Sequence, residues 1–306
     1  MRSVGGPTRS VGGIMSQKSW TVGELLKVTA DYLRNKKIES PRLNAEVLLA
    51  HQLQLDRVQL YLNLEQPLNE KEVSGYRSLI KRRVNREPLQ HVTGTQEFWS
   101  LDFTVGPQVL VPRPETEVLV EKIIEIYKEK CLGDRPKILD LGTGSGVIAV
   151  VLARDIPGAE IWATDISREA LDLAVLNAHK HGVKERIHFL FGDMFEAVDD
   201  QGLNFEVIAS NPPYIPSGLL DCLAPEVRDH EPRLALDGGE DGMSLVAKII
   251  KEAADHLTQG GWLAVEMDPD QTLTAMNLIE QTGRYSTPER IKDYSRRYRV
   301  VAAQKK

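Results

Sequence analysis

Asn211-Pro212-Pro213-Tyr214 is the segment of this 306-residue chain whose residue types most narrowly define a chemistry. Two consecutive prolines fix the backbone and remove two amide donors, so the segment presents carbonyl acceptors without competing N–H groups. Asn211 adds a side-chain carbonyl and Tyr214 an aromatic face. Such a corner fits a planar NH2 group whose lone pair is tied up by conjugation. If the Asn211 side-chain oxygen and the Pro212 backbone carbonyl each hold one hydrogen, the nitrogen is aimed at an electrophile without any strong base. A merely rigid turn uses the same dipeptides, so the segment must be weighed with its company.

That company is nucleotide-like. Ile138-Leu-Asp-Leu-Gly-Thr-Gly-Ser-Gly146 places Gly142, Gly144 and Gly146, with Thr143 and Ser145 between them, where a strand should pass into a helix. Glycine removes the Cβ that holds a ligand off the backbone, and the following helix should begin with free amides aimed at the bound group. A dinucleotide site favours G-x-G-x-x-G; the G-x-G-x-G spacing here is closer to the loop that holds S-adenosylmethionine. Asp165 ends the next predicted strand, a position from which a carboxylate accepts hydrogen bonds from ribose hydroxyls. The bland alternative is a helix N-cap, which Ser167 fills equally well. Gly192-Asp193-Met194-Phe195 then closes a third strand. Asp193 is placed to accept from an adenine amino group, with Met194 and Phe195 as apolar cover, although strand-end Gly-Asp pairs are common in turns.

These residues need a scaffold, and the pattern after Pro136 supplies one. Apolar strands alternate with helices, as in a mostly parallel, doubly wound α/β sheet with ligands at the carboxyl ends of its strands. Strands are expected at 137–141, 160–165, 186–191, 205–210, 261–266 and 297–303, with a weaker one at 284–290. Helices are expected at 147–154, 168–181, 242–258 and 271–282. Ahead of this, residues 17–92 read as a small helical bundle. Ser40-Pro41 opens one helix with Leu43, Val47 and Ala50 on its stripe, and Val73, Tyr76, Leu79, Ile80 and Val84 form another beside Lys81, Arg82, Arg83 and Arg86. Residues 93–112 alternate around Gly106-Pro107 and read as a hairpin linker, leaving 113–306 as the catalytic domain. Residues 1–16 repeat Arg-Ser-Val-Gly-Gly and read as a disordered extension, with Met15 an alternative start.

Charge and cysteines narrow the classes further. The net charge is −6, but residues 18–94 carry +4 and everything after Gly94 carries −12. So acidic a catalytic half disfavours a phosphate backbone as partner. Cys131 and Cys222 are the two cysteines, far apart and without metal-ligand spacing, so neither a metal site nor a disulfide framework is expected. With no long apolar run and no signal-peptide pattern, the chain reads as a cytoplasmic, membrane-free protein; a monomer is expected, though no residue pattern fixes the oligomeric state.

Together the motifs resemble the release-factor glutamine methyltransferases, the HemK or PrmC family, over nearly the whole chain after Ser16. Asn-Pro-Pro-Tyr is shared with adenine amino-methyltransferases; Pro112-Arg-Pro-Glu-Thr-Glu117 and Glu231-Pro-Arg-Leu-Ala-Leu-Asp-Gly-Gly239 are far more specific. The resemblance implies a Rossmann-like class I fold with a seven-stranded sheet, and methyl transfer from S-adenosyl-L-methionine to the glutamine of the Gly-Gly-Gln loop of class-1 release factors. It implies a cofactor site at Gly142 to Gly146, Asp165 and Met194, a substrate amide site at Asn211, Pro212, Pro213 and Tyr214, and a contribution to the same pocket from Pro112 to Glu117. Release-factor docking falls to the N-terminal bundle. Met194 stands where some members carry tryptophan, and Glu266-Met-Asp268 replaces the more usual Glu-x-Gly, so Glu266 receives no role here. The rival readings are an adenine amino-methyltransferase acting on DNA or RNA, which would want a basic surface beside its pocket, and a binding module that has lost transfer.

Overall fold

The computed structural model describes residues 20–130, 133–199 and 202–306; the extension expected at 1–16 lies outside them. The chain divides into two compact units, one ending at Asn85 and the other running from Arg86 to Lys306.

In the first unit, helix starts are written locally. A two-residue strand β1 (Trp20–Thr21) pairs with β2 (Pro67–Leu68) and leads into α1 (Val22–Asn35), where Thr21 and Glu24 form a reciprocal capping box. Asp56 with Gln59 and Asn69 with Glu72 do the same for α3 (Arg57–Leu62) and α4 (Glu70–Val84). Between them α2 (Pro41–Leu53) starts with proline, but Ser40 is left-handed and makes no side-chain cap. The face α2 buries is Ala45, Leu48 and Leu49 rather than the expected Leu43 and Val47, and Leu43 is 41% exposed. These three residues also follow a helical i, i+3, i+4 spacing, and the flanking Asn44 and Glu46 can be buried because they are paired. Glu46 accepts from Arg57, Arg42 and the Tyr61 hydroxyl. Arg83, expected on a basic rim, is instead buried, its Nε donating to Asn44 Oδ1 at 2.7 Å.

The second unit opens with α5 (Leu89–Thr93) and a hairpin of β3 (Thr95–Phe98) and β4 (Leu101–Thr104). The hairpin turns at Trp99-Ser100, not at Gly106-Pro107, and residues 109–111 form no strand. Both turn residues have positive φ, +54° and +56°, a twist that suits a two-residue hairpin but that glycine or asparagine usually supplies. Tertiary bonds hold it: the Trp99 amide donates to Glu117 Oε1 at 2.8 Å and its indole N–H to Asp155 at 2.7 Å.

Then follow α6 (Thr116–Lys130), β5 (Lys137–Leu141), α7 (Val147–Asp155), β6 (Glu160–Asp165), α8 (Arg168–Lys180), β7 (Ile187–Phe191), the short α9 (Glu196–Asp199), β8 (Phe205–Ser210), the short α10 (Pro225–Arg228), α11 (Ser244–His256), β9 (Leu257–Glu266), α12 (Thr272–Thr282), β10 (Glu289–Lys292) and β11 (Tyr298–Gln304). The seven strands of the sheet run β10-β11-β9-β8-β5-β6-β7, with β5 to β9 parallel, and at one edge β11 antiparallel to both of its neighbours, β9 and β10. Successive side chains of β5 and β8 point to opposite faces. Ile138 and Val207 join the core beneath α6 and α7, and Leu139 and Ile208 join the core beneath α11 and α12. Helix α7 is buried from Val147 through Ala153, and each large side chain among these contributes on the order of 1.5–3 kcal/mol by leaving water. Among the described residues no helix is long and apolar enough to cross a membrane.

Candidate active site

Strands β5 and β8 are neighbours at the centre of the sheet, yet the chain proceeds from β5 toward β7 and returns to β8 on the other side. Connections that part in this way leave a crevice above the carboxyl ends of the two strands. A cavity of about 380 Å³ lies there, within the range of small-molecule sites.

The glycine loop forms its floor. Gly142, Gly144 and Gly146 all have positive φ, which side chains resist. A Cβ at Gly142 or Gly144 would meet no protein atom within 4 Å, whereas one at Gly146 would come within 2.9 Å of the Ala174 Cβ. The third glycine therefore packs α7 against α8, and the first two leave ligand space open. Most amides of the loop itself are engaged within the protein. Gly142 and Thr143 both donate to the Thr164 carbonyl at 2.9 Å, Gly144 to Asp165 Oδ2 at 2.8 Å and Gly146 to the Thr143 carbonyl at 2.8 Å. The loop folds back on the end of β6, and at these four residues it supplies shape rather than donors.

Asp165 sits at the end of β6 with its carboxylate in the cavity wall, accepting from Gly144 and, at 2.9 Å, from Ser167. Ser167 caps α8 through its own hydroxyl, so Asp165 is not spent on that cap. A carboxylate has about four lone-pair directions, and two backbone bonds leave capacity for hydroxyls of a ligand. Burial pushes its pKa up, with the backbone bonds from Ser167 and Gly144 opposing. Asp193 and Met194 line the same cavity, and Asp193 also pairs with Lys248 at 3.2 Å. Phe195 does not line it: this ring turns into the core and stacks on His256 at 4.5 Å, because Met194 adopts a left-handed turn that reverses the side-chain direction.

Asn211 and Pro213 reach the cavity, Pro212 is buried behind them and Tyr214 lies off the lining. The Tyr214 main chain is clamped from outside: Gln271 Nε2 donates to its carbonyl at 2.8 Å, and Gly238 and Gly242 press close on the backbone. Burial raises the Tyr214 pKa, reinforced by nearby Glu266, so the ring carries a neutral hydroxyl.

Several residues that sequence reasoning left without individual roles line the wall or brace it from behind. Pro112-Arg-Pro-Glu-Thr-Glu117 resolves into three separate ties. Arg113 forks onto Glu231 at 2.8 and 2.7 Å, Thr116 receives the Asn211 amide N–H at 3.1 Å, and Glu117 receives the Trp99 amide. Asn177, wholly buried on α8, donates to the Ser145 carbonyl and exchanges two bonds with Thr104, tying the loop to the hairpin. Asp140 is also wholly buried; burial raises its pKa to about 7, although it accepts from the Thr143 hydroxyl at 2.6 Å. Glu266 is buried as fully and is likewise pushed up to about 7. A lone carboxyl inside an apolar strand end was the one local signal available for Asp140 and Glu266. Among the described residues no cluster of His, Cys, Asp and Glu could hold a metal.

A sheet of this order, with a glycine loop after β5 and an acidic residue ending β6, is the Rossmann-like fold of class I methyltransferases. Residues 115–220 match the methyltransferase small domain family, and residues 24–94 match the PrmC N-terminal domain family. The release factor glutamine methyltransferase of Geobacter sulfurreducens is 45% identical over 264 residues, covering 86% of this chain and 90% of that protein. That of Rhodopirellula baltica is 40% identical over 289 residues, covering 94% and 97%. The chain belongs to the release factor glutamine methyltransferase family. Among solved structures, the hMettl16 catalytic domain in complex with the MAT2A 3'UTR hairpin superposes with a TM-score of 0.54 at 15% identity, covering 72% of this chain and 80% of that one, a likeness of fold alone.

Proposed function

We propose that this protein transfers a methyl group from S-adenosyl-L-methionine to the side-chain amide nitrogen of the Gly-Gly-Gln glutamine in class-1 release factors. The observation that carries the reading is a single cavity shared by the open glycines Gly142 and Gly144, the Asp165 carboxylate and Asn211. Gly142 to Gly146 and Asp165 hold the cofactor's methionine and ribose parts, and Asp193 and Met194 lie against its adenine. The cofactor, when bound, supplies an electrophilic methyl on sulfur. Asn211 Oδ1 and the Pro212 carbonyl grip the two amide hydrogens of the glutamine, orienting its nitrogen toward that methyl, while Pro213 and Tyr214 keep the corner stiff. Placement replaces base catalysis, since the amide nitrogen bonds the methyl as its bond to sulfur breaks and only then releases a proton, which passes to solvent. The N-terminal helical unit, with the chain's +4 stretch, docks the release factor.

The test is mass spectrometry of a release factor after incubation with enzyme and S-adenosylmethionine, with DNA and RNA carried as parallel substrates. One methyl on the Gly-Gly-Gln glutamine is expected, and its absence beside a methylated adenine would replace this reading with the nucleic-acid one. Asn211→Ala is expected to slow transfer by roughly 10²-fold, as for loss of a preorganised polar contact, with cofactor affinity changing less.

A further inference from the structure

The diproline corner cannot hold its own shape. Proline fixes φ but leaves ψ free, and Pro212 and Pro213 bring no N–H with which to close a turn. The direction of the Pro212 carbonyl must therefore be set from the two ends of the segment. At the first end Ser210 lies in β8, paired beside Val265 of β9, and Asn211 follows it directly. At the second end the Tyr214 carbonyl accepts from Gln271 Nε2 at 2.8 Å, and the next residue, Ile215, is tied by two main-chain bonds to Leu236 and Gly238.

Gln271 is delivered to that carbonyl in one orientation. It closes a single 3₁₀ turn, Pro269–Gln271, shortly after β9. Its Oε1 accepts from the Asp268 main-chain N–H at 3.2 Å, so its NH2 faces the other way and meets two carbonyls, Tyr214 at 2.8 Å and Asp241 at 3.5 Å. Turned over, the amide would set its oxygen against both acceptors and its NH2 against a donor. The turn is itself anchored. Met267, wholly buried, donates to the Arg299 carbonyl at 2.9 Å, the Gln271 main-chain N–H to the Asp268 carbonyl at 3.0 Å, and the Asp270 N–H to Asp268 Oδ1 at 3.0 Å. Gly242 covers the bond to Tyr214, since a Cβ there would run into both the Tyr214 oxygen and Gln271 Nε2. Three loops, 211–214, 238–242 and 268–271, thus meet at one side-chain amide.

We infer that Gln271 is a positioning residue for methyl transfer: by holding the Tyr214 carbonyl it restricts ψ along the diproline segment, and so sets the Pro212 carbonyl against Asn211 Oδ1, the two oxygens that grip one nitrogen together. Gln271 does not line the cavity, so it acts on the reaction only through the corner. The inference rests on the proposed grip of that corner on a planar NH2. It gives a role to a side chain 57 residues beyond Tyr214, outside every motif that marks the site in the sequence.

The test measures the single-turnover rate of release-factor methylation, cofactor Kd and Tm for Gln271→Met, Gln271→Glu, Asn211→Ala and the double variant of Gln271→Met with Asn211→Ala. The pH is about 8.5, well above the ordinary glutamate value of about 4.3. Gln271→Met keeps the bulk and loses donor and acceptor together. It is expected to slow the single turnover about 10-fold with cofactor Kd near wild type, a share of the roughly 10²-fold that a misplacement of about 1 Å costs, because the Ile215 ties remain. Gln271→Glu still accepts from Asp268 but cannot donate to Tyr214, so it is expected to be slowed at least as much. In the Asn211→Ala background one of the two gripping oxygens is already gone, and Gln271→Met should cost less than about threefold there, since groups that act as a unit are not additive. A glutamine that merely braced the fold would cost the same factor in both backgrounds. If Asn211→Ala is crippled but Gln271→Met turns over like wild type, the inference is refuted and the substrate site stands. If Asn211→Ala is itself fully active, the site reading and the inference fall together. Equal factors in the two backgrounds, a Gln271→Glu as fast as wild type, or a cofactor Kd weakened as much as the rate would each overturn it. Should Gln271→Met not fold, Gln271→Glu decides, alone and combined with Asn211→Ala.

Discussion

Gly238→Ala adds one methyl group against the proposed substrate corner without replacing any residue assigned to bind substrate. A Cβ at Gly238 would lie 2.7 Å from the Tyr214 Cα, 2.7 Å from the Gly242 carbonyl oxygen and 2.8 Å from the Pro213 carbonyl oxygen. All three are backbone atoms, so no side chain can swing aside. The two segments are also pinned to each other, since Ile215 donates to the Leu236 carbonyl at 3.0 Å and Gly238 to the Ile215 carbonyl at 2.8 Å. Reaching ordinary contact at 3.4 Å requires the Pro213-Tyr214 backbone to retreat by about 0.7 Å. A displacement of about 1 Å at a preorganised site costs on the order of 10²-fold in rate, so kcat should fall about 10- to 100-fold. Overpacking should also remove about 1–3 kcal/mol of stability. The glycine loop is a separate segment, so cofactor affinity should stay near wild type. Gly218→Ala is the matched control, because a Cβ there meets nothing within 4 Å. Initial rates of methyl transfer to a release factor, with cofactor binding by calorimetry, measure both. Wild-type kcat in Gly238→Ala would refute the argument that backbone packing against residues 213 and 214 sets the geometry of transfer.

Two further outcomes concern stability. Asp140 and Glu266 are both raised to about 7 by burial, from ordinary values of 3.8 and 4.5, so the fold favours their protonated forms. Their contribution is fully present below about pH 4 and is lost as pH rises to about 7, a loss on the order of 3–4 kcal/mol each. Urea unfolding of wild type should therefore show lower stability at about pH 8 than at about pH 5 from these two groups, and Asp140→Asn or Glu266→Gln should each flatten part of that slope; an unchanged slope in both variants refutes it. Separately, Arg113→Ala leaves the Glu231 carboxylate, 1% exposed, without its forked partner and should cost about 3 kcal/mol in the same assay. Adding Glu231→Leu should recover much of that loss, and a double variant as unstable as the single would refute the account of an uncompensated buried charge.

Much of the catalytic unit could be read from the chain by itself. Lys137–Leu141, Glu160–Asp165 and Phe205–Ser210 are strands with the bounds expected of them, because strands covered on both faces must be apolar throughout and stand out from their surroundings. The glycine loop and the diproline corner were equally visible, since positive φ and missing amide donors are properties of residue types. The hairpin turn was not, because Trp99 and Ser100 take positive φ without being glycine or asparagine, and the Trp99 bonds that brace the turn reach Glu117 and Asp155, far along the chain. Nor did the pattern reveal which helical face of α2 is buried or which way Phe195 turns, because both depend on what packs opposite.

Local sequence could dictate where the ligand-sized gaps and stiff corners fall; it could not say which polar atoms meet across them. Thr116 reaches Asn211 across 95 residues and Arg113 reaches Glu231 across 118, and each pairing exists only because the sheet brings distant strand ends to one rim. Donor and acceptor roles at the Asn211 amide are thus set by neighbours in space, where the low dielectric of a buried rim makes an unmatched partner costly.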